Sequence, residues 1–291
     1  MKPRDAAAYV FLALVWGLSF VVLLRVVAAF GWAGAVSLRA LLAAAVLGVL
    51  ARLFGRRLAF SAGWRHFAIV GATTVAAQLV GLSIATPLIG TAMAAILVAT
   101  IPLFSMLIGR IWGTERIGRR GAAGLVAGFG GIVLLVGFPS VPVDAAFVGG
   151  CAASILSAFA AAFGSNYANA KLRGTSSIEI TTGAFAAGGA MTLPLLAFVP
   201  VPGMPSLADF GYLLVLGGAM SAVAYVVYFR LVAGIGATRA ISVEFAVTLV
   251  AVLVGALFLG ERLGPVQIAG AFAIVLGCAT VLGVFPPVRR T

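Results

Sequence analysis

Apolar residues come in long unbroken runs along this chain, and polar residues collect between them. Ten runs stand out, at about 6–24, 32–53, 67–86, 90–111, 121–138, 145–169, 178–199, 207–229, 237–259 and 265–285. Each is long enough to cross a hydrocarbon core of ~30 Å as an α-helix. None alternates inward and outward as a membrane β-strand does, which argues against a β-barrel. Lys2 and Arg4 precede the first run as they would in a signal peptide, but its apolar stretch is too long for one and reads as a span. The turns are short. Gly31 and Trp32 close the first, and Pro87 to Gly90 the third. Pro139 and Pro142 separate the halves of the chain, and Pro200, Pro202 and Pro205 break it between runs seven and eight.

The two halves repeat. A shift of 146 positions lays Gly90 on Gly236, Gly109 on Gly255, Glu115 on Glu261, Arg116 on Arg262, Gly124 on Gly270 and Gly131 on Gly277. Each copy is an apolar run, a Glu-Arg turn and a second apolar run. The period is too long for a solenoid and suits a duplicated membrane domain, with units 1–139 and 140–291.

Composition agrees. The 291 residues are 63% hydrophobic with mean hydropathy +1.20, and 9% are charged, against roughly 25% in soluble domains. The expected fold class is an all-α integral membrane protein of ten transmembrane helices. A net charge of +12 invites a nucleic-acid reading, but the placement of the charges points to the positive-inside rule. With the N-terminus inside, the inner loops collect Lys2, Arg4, Arg52, Arg56, Arg57, Arg65, Arg110, Arg116, Arg119, Arg120, Lys171, Arg173, Arg230, Arg239, Arg289 and Arg290 of the 19 Lys and Arg. Arg25 and Arg262 fall outside and Arg39 falls within span two. Both termini are therefore expected in the cytoplasm, in a bacterial-type inner membrane. Five spans per unit is an odd number, so the two copies are expected to be inverted, the usual architecture of secondary transporters. Cys151 and Cys278 lie in apolar runs without a CxxC context and read as small core residues. His66 beside Arg65 offers no metal pattern, and no cofactor is expected.

The repeat resembles the EamA-type unit of the drug/metabolite transporter superfamily. The matching residues are Trp16-Gly17-Leu18-Ser19-Phe20, Arg39-Ala40-Leu41-Leu42-Ala43, and Pro102 ahead of Gly113-Thr114-Glu115-Arg116. Gly124 and Gly131 follow, and Leu259-Gly260-Glu261-Arg262-Leu263 with Gly270 and Gly277 repeats the pattern. The chain as a whole looks most like the YddG-type aromatic amino-acid exporters. The resemblance implies export of aromatic and other neutral amino acids, with a multidrug or cationic-compound exporter of the same fold as the alternative. It also implies a cavity lined by spans one, three, four, six, eight and nine. The sequence departs from the family at Thr248 opposite Pro102, at Ile155 and Leu156 where span one has Trp16 and Gly17, and at Glu244, one turn before the family's usual Glu-Pro pair.

Polar and aromatic residues at helical spacing mark candidate inward faces. Span one offers Trp16, Ser19 and Phe20; span three Thr74, Gln78 and Ser83; span four Met93, Leu97 and Thr100. Span six offers Phe159, Phe163 and Asn166, span eight Ser221, Tyr225 and Tyr228, and span nine Glu244 and Thr248. At a rise of ~1.5 Å per residue, Trp16, Gln78, Thr100, Phe159, Phe163 and Tyr225 fall within ~5 Å of the midplane. Glu244 is the carboxylate deep in a span, and an intramembrane charge costs at least ~2.5–3.5 kcal/mol. It either carries a coupled proton, attracts a substrate ammonium, or fixes span nine by a neutral hydrogen bond. Arg39 either ties to backbone carbonyls or binds a carboxylate. The aromatic residues are either helix packing or the walls of a pocket for aromatic solutes and cations. Pro102 cannot donate to the carbonyl of Val98, the residue that aligns with Glu244, and reads as a hinge. Glu115 and Glu261 each suit the dipole of the helix that follows. Gly124-xxx-Gly128 and Ala273-xxx-Gly277 pack either within the bundle or across a dimer.

A small-molecule substrate and the lipid bilayer are the expected partners, nucleic acid is not, and monomer and weak dimer stay open. No GxxxxGK[ST] motif is present for nucleotide-driven transport. The histidine and carboxylate inventory does not make an enzyme site. A channel is the remaining alternative to a secondary transporter.

Overall fold

Ala, Leu, Val and Gly runs with their backbone groups paired internally form helices, the economical answer to a solvent without hydrogen bonds. The computed structural model describes residues 2–115, 117–136, 144–250 and 264–283, without the side chains of Phe20, Leu24, Thr86, Pro87, Gly90 to Met93 and Ala95. Pro139, Pro142, Arg116, Glu261 and Arg262 lie outside that description, as do the side chains of Phe20 and Met93.

Among the described residues there is no strand. Seven stretches are long and apolar enough to cross a membrane, and Ile96–Ile111 and Pro265–Val281 are shorter apolar helices. The elements are α1 (Pro3–Leu53), α2 (Trp64–Val70), α3 (Gln78–Val98), α4 (Ile101–Ile111), α5 (Arg119–Val136), α6 (Ala145–Lys171), α7 (Ser177–Thr192), α8 (Leu207–Leu214), α9 (Ala224–Ile235), α10 (Ala237–Ile241), α11 (243–250) and α12 (Pro265–Val281). A widened π-type turn joins α2 to α3 over Gly71–Ala77, and another joins α8 to α9 over Val215–Val223.

Two turns differ from expectation. The first needs no loop: α1 reverses through Gly31 alone, with φ of 69°, a backbone conformation that glycine tolerates. Phe30 packs edge-on against Phe210, while Trp16 and Arg39, on either side of the reversal, both reach the level of residues 217–228. At the expected third turn, helical bonding continues from Gln78 to Val98 across Pro87. The chain has nonetheless reversed by α4, because Gly81 and Ile89 follow α6 backwards from Ser157 to Gly150, whereas Phe104 and Gly109 follow it forwards from Phe159 to Asn166.

Caps fix several helix starts. Asp144 accepts from the amide of Phe147 at 2.7 Å, and Ser176 with Glu179 and Ser206 with Asp209 form capping boxes. Glu179 also accepts from Ala59 and Phe60, tying the 54–63 loop to the start of α7. That loop, Trp112 to Glu115, Ile117, residues 172–176 and Gly236 gather at one end of the bundle with Arg173 and Arg239. Gly31, Pro200 and Pro202 gather at the other.

The core contacts come in matched pairs. A methyl carbon on Gly124 would lie 2.9 Å from the carbonyl oxygen of Gly277, and one on Gly131 would lie 2.7 Å from that of Gly270. The 146-residue shift carries the first contact onto the second. Likewise Gly71 lies against Gly188 and Gly217 against Leu42, and the shift carries Gly71 to Gly217 and Leu42 to Gly188. The π-type turns obey the same shift. The small-residue faces of α5 and α12 thus pack on each other inside the bundle.

Candidate functional site

The aromatic residues of spans one and eight meet deep in the bundle. The indole of Trp16 lies 5.2 Å from the ring of Tyr225 and 5.5 Å from that of Tyr228. Its N–H donates to the carbonyl of Met220 at 3.2 Å, within the π-type turn, so the widened turn orients the indole. Phe185 packs edge-on against Tyr225 at 4.8 Å, and the Tyr228 hydroxyl pairs with Ser165 at 2.7 Å. Tyr9 adds a hydroxyl paired with Ser242 at 3.1 Å.

Two charged residues border this group. Glu244 is half-buried and bears electrostatically on the hydroxyls of Tyr9, Tyr225 and Tyr228. Among the described residues its carboxylate has no hydrogen-bond partner; only its backbone carbonyl is used, by Thr248 at 3.1 Å. Arg39 also acts electrostatically on Tyr225, and its buried Nε has no partner among the described residues. Tyr225 therefore has both a basic and an acidic side chain in its surroundings. Groups of this kind are costly to leave unpaired in a protein interior.

Other expected lining residues are placed differently. Phe159 is 44% exposed and joins Phe104 and Phe163 in a separate ladder that continues through Trp112 and Tyr167. His66 pairs with the Tyr167 hydroxyl at 2.8 Å. The ladder lies toward the arginine-rich end, and none of its rings is paired with the Trp16 group. Ser19, Ser83, Thr100 and Thr248 each spend the hydroxyl on a carbonyl three or four residues earlier. Gln78 is half-buried, and its carbonyl accepts from Ser157 at 2.7 Å. Helix continuity fails at Ala99–Thr100, and α4 restarts with Pro102 in its first turn, where a missing N–H is tolerated.

Asn166 is fully buried; its Oδ1 has no hydrogen-bond partner among the described residues, and its Nδ2 is paired. It donates to Ser105 Oγ at 2.8 Å and to the carbonyl of Ala162 at 2.9 Å, and Ser105 pairs with Thr238 at 3.1 Å. One turn farther toward the arginine-rich end, Glu115 departs from expectation. Among the described residues, its carboxylate does not serve the helix that follows it. It accepts from the amides of Ala237 and Thr238, the second at 3.1 Å, and from Asn169 Nδ2 at 3.3 Å. Glu115 and Asn169 line a cavity of about 530 Å³ at that end, with Arg173, Gly236 and Arg239 among its walls. Ser105, Asn169, Thr238, Tyr9 and Ser242 escaped the sequence reading. Their common signal is a polar residue in an apolar run opposite another polar residue, and that pairing needs the fold.

A family model described as the EamA-like transporter family matches the chain twice, over residues 6–137 and 148–283. No curated protein matches it in sequence. A solved structure described as "Crystal structure of protein" superposes with a TM-score of 0.82 at 16% identity, covering 98% of this chain and 98% of its own.

Proposed function

Given that the chain belongs to the EamA-like transporter family, a family of multi-pass membrane transporters, we propose that it is a secondary exporter of aromatic and other neutral amino acids. Ten spans in two inverted units of five would rock about a central cavity, alternately opening it to either face. The exchanged contacts between Gly124 and Gly277 and between Gly131 and Gly270 support the two-fold relation. The sorting of Lys and Arg supports an inner-membrane orientation with both termini inside.

The observation that carries the substrate reading is the Trp16–Tyr225–Tyr228 wall with Glu244 and Arg39 beside it. A flat apolar side chain stacks on the wall, an ammonium is drawn to Glu244 and to the ring faces, and a carboxylate to Arg39. Trp16, Tyr225, Tyr228 and Glu244 are the central lining residues in this reading, and Pro102 is the hinge at the break in span four. Purified protein in liposomes tests it through uptake of labelled aromatic and aliphatic amino acids, with and without a pH gradient. Saturable flux of amino acids is expected. Absence of flux for every amino acid defeats the substrate reading, and flux of organic cations alone favours the multidrug alternative.

A further inference from the structure

Among the described residues, the Glu115 carboxylate bonds only across the boundary between the repeats. It leaves the turn after α4, in the first unit, and its partners are Asn169, Ala237 and Thr238, all in the second. Ala237 and Thr238 carry the first amides of α10, which have no acceptor within their own helix. Glycine makes the approach possible. Gly236 has φ of 91°, and a methyl carbon there would lie 3.0 Å from Glu115 Cδ. A methyl carbon on Gly109 would lie 3.2 Å from Glu115 Cβ and 3.2 Å from Asn166 Oδ1.

A second link across the boundary lies one turn deeper. Ser105 of α4 holds Thr238 and Asn166. Deeper still, the next polar pair is Ser165 with Tyr228, on the edge of the aromatic wall. The order along α6 is therefore vestibule, Glu115 clamp at Asn169, Ser105 link at Asn166, then the wall. The 530 Å³ cavity is lined by Glu115 and Asn169 of the clamp and reaches Phe229, but none of Ser105, Asn166, Thr238, Trp16, Tyr225 and Tyr228 is among its walls.

We propose that Glu115 is the gate of the translocation path at the arginine-rich end, and that this structure is closed there. The inference rests on the transporter reading and adds a residue and a state to it. Rocking of one unit against the other at this end pulls Glu115 off Ala237, Thr238 and Asn169. The Gly124–Gly277 crossing, where backbones touch, stays packed as the pivot. The separated carboxylate enters the water of the vestibule, while the α10 amides are left open to water as well. Both sides of the broken contact are rehydrated, so the gate is reversible.

The test reads access and needs no substrate. Cys151 and Cys278 are replaced by Ala, and Thr248→Cys is introduced near the wall. A membrane-impermeant maleimide is applied to sealed vesicles from the face that labels a control Lys171→Cys. Glu115→Ala and Asn169→Ala are expected to raise the labelling rate of the cysteine at 248, Glu115→Ala by roughly tenfold or more, because charge-assisted hydrogen bonds to the clamp are lost. Glu115→Gln keeps an acceptor and is expected to give a smaller rise, and it carries the test if Glu115→Ala does not fold. Unchanged labelling in the folded variants overturns the gate. A protein with the labelling change but no amino-acid flux keeps the gate and loses the substrate reading.

Discussion

Gly131 lies so close to Gly270 that a methyl carbon on either would come within 2.7 Å of the other's carbonyl oxygen. This is the image of the Gly124–Gly277 contact under the repeat. Together they make α5 and α12 a single packed pair, with backbone against backbone where dispersion contacts are densest.

Gly131→Ala is expected to lower stability by ~1–3 kcal/mol, because the obstructing atom is backbone and one helix must shift. Gly130→Ala, one residue away with nothing within 4 Å of its added carbon, is the control and is expected to leave the melting temperature unchanged or slightly raised. Thermal unfolding of the two variants in detergent checks this. Equal stability would show that the crossing does not hold the units together.

Glu244→Gln is expected to insert and fold normally, since no described residue bonds the carboxylate. Flux of ammonium-bearing substrates is expected to fall by about tenfold or more, as charge-assisted hydrogen bonds contribute ~1.5–3 kcal/mol. Comparison of the fluxes of wild type and variant in liposomes decides it. Full transport by the variant would assign Glu244 to structure alone.

Pro102→Ala restores an N–H that can donate to the carbonyl of Val98. The break at Ala99–Thr100 is then expected to close toward continuous helix. Slower flux at equal or higher thermal stability is the expected outcome. Unchanged flux would remove Pro102 from the moving elements.

Asn166→Ala removes the donor that holds Ser105 and leaves Ser105 with Thr238 alone. Interhelical hydrogen bonds in membranes average ~0.6 kcal/mol and reach ~1.7. A modest fall in melting temperature is therefore expected. A fall as large as that of Gly131→Ala would mean that Asn166 carries more of the fold than its contacts account for.

Much of the architecture was legible in the sequence because lipid imposes one secondary structure on long apolar runs. The repeat was legible because glycines and Glu-Arg turns recur at a fixed offset. What a residue touches was not. A Glu ahead of a helix suits that helix in any one-dimensional reading, and only the packing of α4 against α10 turns Glu115 to the other unit. The faces of Gly124 and Gly277 fitted a bundle and a dimer equally until their crossing was seen. The π-type turns at Gly71–Ala77 and Val215–Val223 leave no mark in hydropathy, yet the second orients Trp16 through Met220. Ser19, Ser83, Thr100 and Thr248 have the spacing of a lining face, and each hydroxyl donates to a carbonyl of the preceding turn, a partner that spacing alone does not announce. Phe159 and Phe163 shared the expected depth with Tyr225 but face another ladder of rings.

The most direct test of the account is the flux of labelled tryptophan and of labelled alanine through wild type and Trp16→Ala in liposomes. Loss of a stacking partner in a desolvated site costs ~0.5–1.5 kcal/mol beyond area burial, so tryptophan flux at low concentration is expected to fall several-fold or more while alanine flux holds. Equal loss of both, or no flux of either through the wild type, would contradict an aromatic-walled amino-acid site at Trp16, Tyr225 and Tyr228.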